Sequence, residues 1–502
     1  MWTLETSRGN EANKIKYEIV NYTGGRVLDL GSGPFKPYSH FISMDNMTEY
    51  DNNGWHPDVY GDAEDLSLFS SNSFDAIFSS HLLEHIVDYS SALKEWWRTI
   101  KVNGYLVLYL PHKEYYPNIG EKGSNPDHKH DYIPDDIVDA MVDLSGWNLL
   151  VNESRNNDNE YSFLQVYQKR NDHKHSYPYK MKRPVKTCAV VRYGGFGDLI
   201  QASSILPGLK REGYHITFYT TPSGRNILKN DPHIDSFFVQ GKDQVPNNEL
   251  PLFWNKQAEK YDKFINLSES VEGTFLAIPG RSQHTWPYKL RNEMLNKNYL
   301  EFAHLMADVP FKDEQRFYPS KDELKCAQKQ KDELGRCVFW ILSGSSVHKT
   351  WPYLDQAIAR ILITYPEIKI ILTGDEVCQI LEMGWEKEER VIKTSGKWGI
   401  RRSLTFAKFA DIIIGPETGI LSAVSNLSMP KIIMLSHSSV ENLTKHWVNT
   451  VSLMPMECDC YPCHMMHYGF DHCRRDSETG VAKCQANISI DQFMEGFNRL
   501  TR

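Results

Sequence analysis

Three stretches of this sequence bring together residue types that could do chemistry. In the first, RVLDLGSGP (Arg26–Pro34) sets Asp29, Gly31 and Gly33 at the end of an apolar run. Glycine there lets the backbone take positive φ and come close to a ligand. Acids follow at Asp45 in FISMDN and at Asp62, next to Ala63, in GDAEDL. SFDAIFSSHLLEHI then runs from an apolar segment into His81 and His85. An acid at the tip of a second strand can hold a ribose diol, and one after a third strand can accept from an adenine amino group. The set describes an adenosine pocket, although Asp at strand ends is also ordinary turn punctuation.

The second stretch is discontinuous. VRYGGFGDLIQASSILPGLK puts Gly194, Gly195 and Gly197 after an apolar run, with Asp198 opening a helix. Such a start offers free N–H groups to an anion and places an acid where it could take a proton. WILSGSSVHKTWP repeats the theme with Ser345, Ser346 and the cation Lys349, and IIIGPETGILSA does so with Glu417, Thr418 and Gly419. One acid facing two phosphate-ready loops is the layout of a nucleotide-sugar site between two α/β halves. The plain alternatives are a helix cap for Asp198 and a solvated cation for Lys349.

The third stretch is CDCYPCHMMHYGFDHC…KC, in which Cys458, Cys460, Cys463, Cys473 and Cys484 crowd together with His464, His467 and His472. Four thiolates within tetrahedral reach would close a structural zinc site; disulfides and free thiols remain the alternatives. NPDHKHDYIPDD (Asn125–Asp136) also groups His128, His130 and Asp131, as a metal or acceptor loop or simply as a solvated polar loop.

These residues need elements to position them. Strands are expected at 26–30, 41–44, 74–78 and 105–110, with a helix over 90–100, where Ala92, Leu93, Trp96, Trp97 and Ile100 fall at helical spacing. Strands separated by helices imply a parallel, helix-covered sheet. QKRNDHKHSYPYKMKRPVK (168–186), basic and interrupted by prolines, reads as a linker or as a patch for nucleic acid or membrane lipid. The pattern restarts with strands at 187–192, 215–220 and 263–266. It restarts again with strands at 337–342, 368–373, 412–414 and 431–435 and a helix over 354–364. The expected domains are therefore 1–167, the linker 168–186, then 187–325, and finally 326–502 with the cysteine cluster at 458–484.

The first set resembles the class I S-adenosylmethionine-dependent methyltransferases, over about Gly24 to Gln168, through LDLGSGP, Asp45, GDAEDL, FDAIFSSHLLEH and LKEWWRTIKVNGYLVLYLP. The resemblance implies a Rossmann-like domain binding S-adenosyl-L-methionine. Asp29, Gly31 and Gly33 would line its methionine end, Asp45 the ribose, and Asp62 with Ala63 the adenine, with His81 and His85 near the transfer site. Only 12 positions separate Gly33 from Asp45, so the family's first helix is expected to shrink to a loop.

From about Thr187 to Trp447 the chain resembles the lipopolysaccharide heptosyltransferase family of two-domain GT-B glycosyltransferases, through GGFGDLIQASSILPGLK, SGSSVHKTWP, LTGDE and IGPETGILSA. The resemblance implies a nucleotide-sugar donor and a glycan or glycoconjugate acceptor. Asp198 would be the general base and Lys349 would neutralise the departing diphosphate. Gly195, Gly197, Ser345, Ser346, Glu417, Thr418 and Gly419 would form the donor site. Where the family has His three residues after the Thr-Gly glycine, this chain has Ser422.

Composition fits such an α/β enzyme. Of 502 residues, 41% are hydrophobic and 24% charged, which excludes wholesale disorder. No apolar run approaches the ~18 residues of a membrane helix. The start lacks a basic-then-apolar signal segment, so a cytoplasmic, reducing location is expected. The net charge of −8 is uneven: residues 1–170 sum to about −12 and 171–186 to about +4. An acidic front suits a phosphate backbone poorly. The reading is thus a bifunctional transferase. The alternative is a glycosyltransferase that modifies a hydroxylated base in DNA, engaged through the basic linker, with an inactive front domain.

Overall fold

The computed structural model describes residues 11–46, 55–157, 159–177, 186–241, 243–268 and 270–501. They form two compact units. One contains the described residues of 1–184 with Phe238–Lys260, and the other those of 185–237 with Tyr261–Arg502.

The first unit is built on β1 (Val27–Leu30), β2 (Phe41–Asp45), β3 (Val59–Tyr60), β4 (Phe74–Ser80), β5 (Ile100–Pro111), β6 (Trp147–Arg155), β7 (Ser162–Lys169) and β8 (His175–Ser176). Their order in the sheet is β3-β2-β1-β4-β5-β7-β6-β8. β1 to β5 run parallel and β7 runs antiparallel to β5. Parallel strands buried on both faces read as near-continuous apolar runs, and β1 and β4 do so. The chain passes from β1 to β2 without a helix, as the 12-residue spacing requires. The helix Tyr89–Thr99 is capped by Asp88, which accepts from Ser91 N at 3.1 Å, and it buries Leu93, Trp96 and Trp97. Gln168 and Lys169 complete β7, and His175–Ser176 pair with β6. This part of the expected linker therefore lies on the sheet, while residues 178–185 lie outside the described residues. Phe238–Lys260 falls within the expected 187–325 domain yet packs with the front residues: Gln244 and Gln257 donate to the carbonyls of Val20 and Tyr17 at 3.0 Å, and Glu249 accepts from Lys16 and Tyr17.

The second unit contains two sheets. Strands β9 (Thr187–Val191), β10 (His215–Thr220), β11 (Ser236–Val239) and β12 (Lys263–Asn266) take the order β11-β10-β9-β12. Strands β13 (Cys337–Ile341), β14 (Lys369–Thr373), β15 (Val391–Lys393), β16 (Ile412–Pro416), β17 (Lys431–Met434) and β18 (Thr450–Leu453) take the order β15-β14-β13-β16-β17-β18, all parallel. β13 is buried throughout, and its side chains alternate between two cores. Cys337, Phe339 and Ile341 face a core shared with Val190 and Phe218 of the first sheet. Val338 and Trp340 face a second core with Trp351 and Phe493. The shared core ties the two halves together. Among the described residues no helix is long and apolar enough to cross a membrane.

Candidate active sites

Where the two halves of the second unit meet, a cavity of about 610 Å³ is lined by Gly195, Gly197 and Asp198 from one half and by Ser345, Lys349, Glu417, Thr418 and Gly419 from the other. Ser346 is not among the lining residues; its hydroxyl lies 3.4 Å from His348 Nε2. Asp198 sits in the first turn of the helix Phe196–Ser203. Its Oδ2 accepts from Gly195 N at 3.0 Å, and its Oδ1 lies 3.2 Å from Arg192 Nη2. Arg192 is 1% exposed and also binds both oxygens of Glu272, at 2.9 and 3.0 Å. One buried guanidinium thus aligns two carboxylates. Burial, and then the charge of Asp198, push the Glu272 carboxyl up, while Arg192 pulls it back.

Lys349 is 7% exposed, and its side chain runs across Gly344, where a Cβ would come within 2.6 Å of Lys349 Cδ. Burial lowers its amine pKa, and the carboxylates of Glu417 and Asp198 oppose that shift. Glu417 is buried but richly partnered. It accepts from the backbone N of Ser436 (2.8 Å) and Ser438 (3.0 Å), from Ser436 Oγ and from His437 Nδ1. Burial disfavours its charge, yet His437 and Lys349 hold its carboxyl well below the ordinary range. His348 Nε2 lies 3.1 Å from His437 Nδ1. Thr418 Oγ1 is buried and has no hydrogen-bond partner among the described residues, an orphaned group beside the cavity. The arrangement offers an acid on one wall and a buried cation with a Thr-Gly loop on the other. Arg192, Glu272, His348 and His437 went unnoticed in the sequence because no motif spacing links them to Asp198 or Glu417.

In the first unit, Asp29, Gly31, Gly33 and Asp45 meet at the carboxyl ends of β1 and β2. Gly31 and Gly33 take φ of +65° and +51°, and Gly33 N donates to Asp45 Oδ2 at 2.9 Å. Asp29 is 2% exposed, its Oδ2 has no hydrogen-bond partner among the described residues, and burial pushes its carboxyl well above the usual range. An orphaned buried carboxylate oxygen beside a glycine turn fits the polar end of a cofactor such as S-adenosyl-L-methionine. Asp62 is exposed and caps its own turn through Glu64 N at 2.9 Å, while the Ala63 carbonyl accepts from Trp96 Nε1 at 2.8 Å. His81 Nε2 lies 2.9 Å from Ser162 Oγ.

Four of the five clustered cysteines, Cys460, Cys463, Cys473 and Cys484, line a second cavity of about 240 Å³ together with His467 and His472. Cys458 lies outside that lining, with its Sγ 3.5 Å from Cys460 Sγ. Four thiols around one cavity are the donor type of a structural metal site, while Cys458, Asp459 and Cys460 bring one donor atom each within a mutual 4.8 Å.

Residues 42–108 match the methyltransferase domain family. Over 303 residues, spanning 52% of this chain and 88% of the relative, the chain is 24% identical to lipopolysaccharide heptosyltransferase 1 of Campylobacter coli. Among solved structures, the glycosyl transferase family 9 protein of Veillonella parvula DSM 2008 aligns at 14% identity with a TM-score of 0.46, covering 64% of this chain and 98% of that one. The E. coli ADP-heptose lipopolysaccharide heptosyltransferase II aligns at 13% identity and a TM-score of 0.43, covering 62% and 98%. The chain thus carries a match to a methyltransferase domain family in its front part and a similarity to a heptosyltransferase over about half of its length.

Proposed function

We propose that this chain is a bifunctional transferase. Its larger unit passes a sugar from a nucleotide-sugar donor, with inversion, to a hydroxyl of a glycan or glycoconjugate. Its front domain transfers a methyl group from S-adenosyl-L-methionine. On this reading 1–167 is the methyl-transfer domain, 168–186 the connection, whose first residues extend the front sheet, 187–325 apart from Phe238–Lys260 the acceptor-side half and 326–502 the donor-side half. The observation that carries it is the joining of Asp198, Lys349 and Thr418–Gly419 around one cavity.

Displacement at an anomeric carbon needs the acceptor hydroxyl deprotonated and the leaving diphosphate stabilised. Asp198, aligned by Arg192 and Gly195 N, takes the proton. Lys349 and the Thr418–Gly419 loop meet the diphosphate, a stabilisation often worth roughly 3–4 kcal/mol per donor. Attack is direct, so the anomeric centre inverts. The similarity to a lipopolysaccharide heptosyltransferase supports a heptose-like donor and a lipopolysaccharide-like acceptor. Cys460, Cys463, Cys473 and Cys484 would hold a structural zinc ion beside this site. Asp45 would hold the cofactor ribose in the front domain.

The test is product analysis with a panel of nucleotide sugars. Asp198→Ala should lower turnover by about 10²–10⁴ with donor affinity kept, and Lys349→Ala should weaken both. Full transfer by Asp198→Ala, or retention of the donor's anomeric configuration, would overturn the mechanism. For the front domain, Asp45→Ala should weaken S-adenosyl-L-methionine binding by about 1.5–3 kcal/mol, and absence of binding by the parent chain would remove the methyl-transfer activity.

A further inference from the structure

Glu84 lies in the short turn Leu83–His85 that follows β4, beyond the same strand ends at which β1 runs into Gly31 and β2 ends in Asp45. It is fully buried, and among the described residues neither of its carboxylate oxygens has a hydrogen-bond partner. A bare buried carboxylate is expensive unless a proton or a cation neutralises it.

The neighbours distinguish the two. His81 Nδ1 lies 3.8 Å and His128 Nε2 3.9 Å from the same Glu84 Oε1, and one donor atom each of Glu84, His85 and His128 falls within a mutual 4.8 Å. A proton lets the carboxyl donate a single hydrogen bond, whereas a cation can serve the carboxylate and the facing imidazole nitrogens together. Donor atoms gathered this closely need draw in by only about half an ångström to an ångström for each to stand roughly 2.0–2.2 Å from a shared ion, whose tetrahedral ligands lie about 3.3–3.6 Å apart.

The surroundings hold the rings in place. When His81 Nε2 donates to Ser162 Oγ at 2.9 Å, the Nδ1 lone pair is the one that faces Glu84, the division of labour seen in metal-bound histidines. His81 is held at φ +52°, an uncommon conformation for a side-chain-bearing residue, with its N donating to Tyr109 O at 2.8 Å. The loop that carries His128 is fastened to the same turn, because Lys129 N and His130 N both donate to the Glu84 carbonyl, at 2.7 and 3.2 Å. His128 is 7% exposed and meets the His85 ring edge to face at 4.9 Å.

We infer that Glu84, His85 and His128, with His81 alongside, form a binding site for a divalent first-row transition-metal ion, separate from the cysteine cavity. The imidazole-and-carboxylate donor set suits such ions without calling on thiolate. The site stands on its own geometry, whether or not the front domain transfers a methyl group.

Cobalt(II) titration of the chelator-treated full chain tests it, because thiolate ligands give intense sulfur-to-metal absorption and nitrogen–oxygen ligands do not. The expected result is one equivalent bound without that absorption, together with a cobalt-dependent rise in the unfolding temperature. Glu84→Gln and His128→Ala should each weaken this equivalent by about tenfold or more, and Cys473→Ser should leave it unchanged. Melting of the metal-free variants verifies that each is folded, so either variant alone suffices. If cobalt binds only with the thiolate signature, or a folded Glu84→Gln binds as the parent does, the site is refuted.

Discussion

The backbones of Gly197 and Gly419 touch: a Cβ on Gly197 would lie 2.9 Å from Gly419 Cα, and one on Gly419 would lie 2.6 Å from Gly197 Cα and 2.5 Å from the Phe196 ring. Two glycine turns, one in each half of the second unit, therefore meet without side chains between them. This brings Asp198, one residue after Gly197, to the same cavity as Thr418. A methyl group at either position must push the halves apart. Gly419→Ala should cost about 1–3 kcal/mol of stability, the usual cost of overpacking. On the proposed mechanism transfer should fall more than stability does, because Asp198 and the Thr418–Gly419 loop separate. Denaturant unfolding alongside initial rates checks this, and an alanine variant as active as the parent would show that the contact is not needed.

Arg192 should behave as a positioning residue for Asp198. Arg192→Met strands the carboxylates of Asp198 and Glu272 next to each other, and because those side chains are 27% and 23% exposed the loss should fall below that of a fully buried pair, at about 1–3 kcal/mol. Adding Glu272→Gln should recover part of that loss, with a coupling of about 0.5–3 kcal/mol in a double-mutant cycle. Turnover should drop in the single variant while donor affinity changes little. Strictly additive losses would mean that Arg192 and Glu272 act independently.

Much of this was legible in the sequence. The strands at 215–220 and 263–266 and the helix at 354–364 form where expected because their apolar periodicity is complete within the segment itself. The antiparallel pair β6–β7 was not foreseen. Glu153 and Arg155 on β6 are polar and partly exposed, so that strand depends on its neighbour rather than on its own pattern. The loops that line the larger cavity declared themselves through glycine and hydroxyl spacing. Arg192 and His437 did not, since a buried ion pair is made by tertiary proximity. Likewise five clustered cysteines suggest a metal, but only the fold separates Cys458 from the four that line one cavity.

That separation can be measured. A zinc ion held by Cys460, Cys463, Cys473 and Cys484 should stay at close to one per chain after purification, and chelation should lower the stability of the second unit. Cys473→Ser should abolish retention, whereas Cys458→Ser should keep it. Metal analysis by mass spectrometry reads both. Equal loss in the two variants would place Cys458 among the ligands, and no metal in the parent chain would remove the site.

The last prediction concerns pH. Glu323 joins the helix Lys321–Leu334 to the helix Ile400–Phe406: its oxygens lie 2.6 and 2.7 Å from Arg401 Nε and Nη2, and Ser320 N donates to it at 2.6 Å. The Arg401 hydrogen bonds, against a smaller opposing effect of burial, lower its pKa to about 2. The unfolded value lies near 4.3, so the folded state holds the proton less tightly. The stabilisation is then complete above the unfolded value and is lost as pH falls through 4 towards 2. With the side chain 26% exposed, solvent screening limits the neutral-pH contribution to about 1–2 kcal/mol. Glu323→Gln should unfold more easily than the parent at pH 7, and the gap between them should narrow on acidification to pH 3. Thermal melts of both proteins across that range decide it. A gap that is constant with pH would mean that the carboxylate charge contributes nothing and that only the shape of the cap matters.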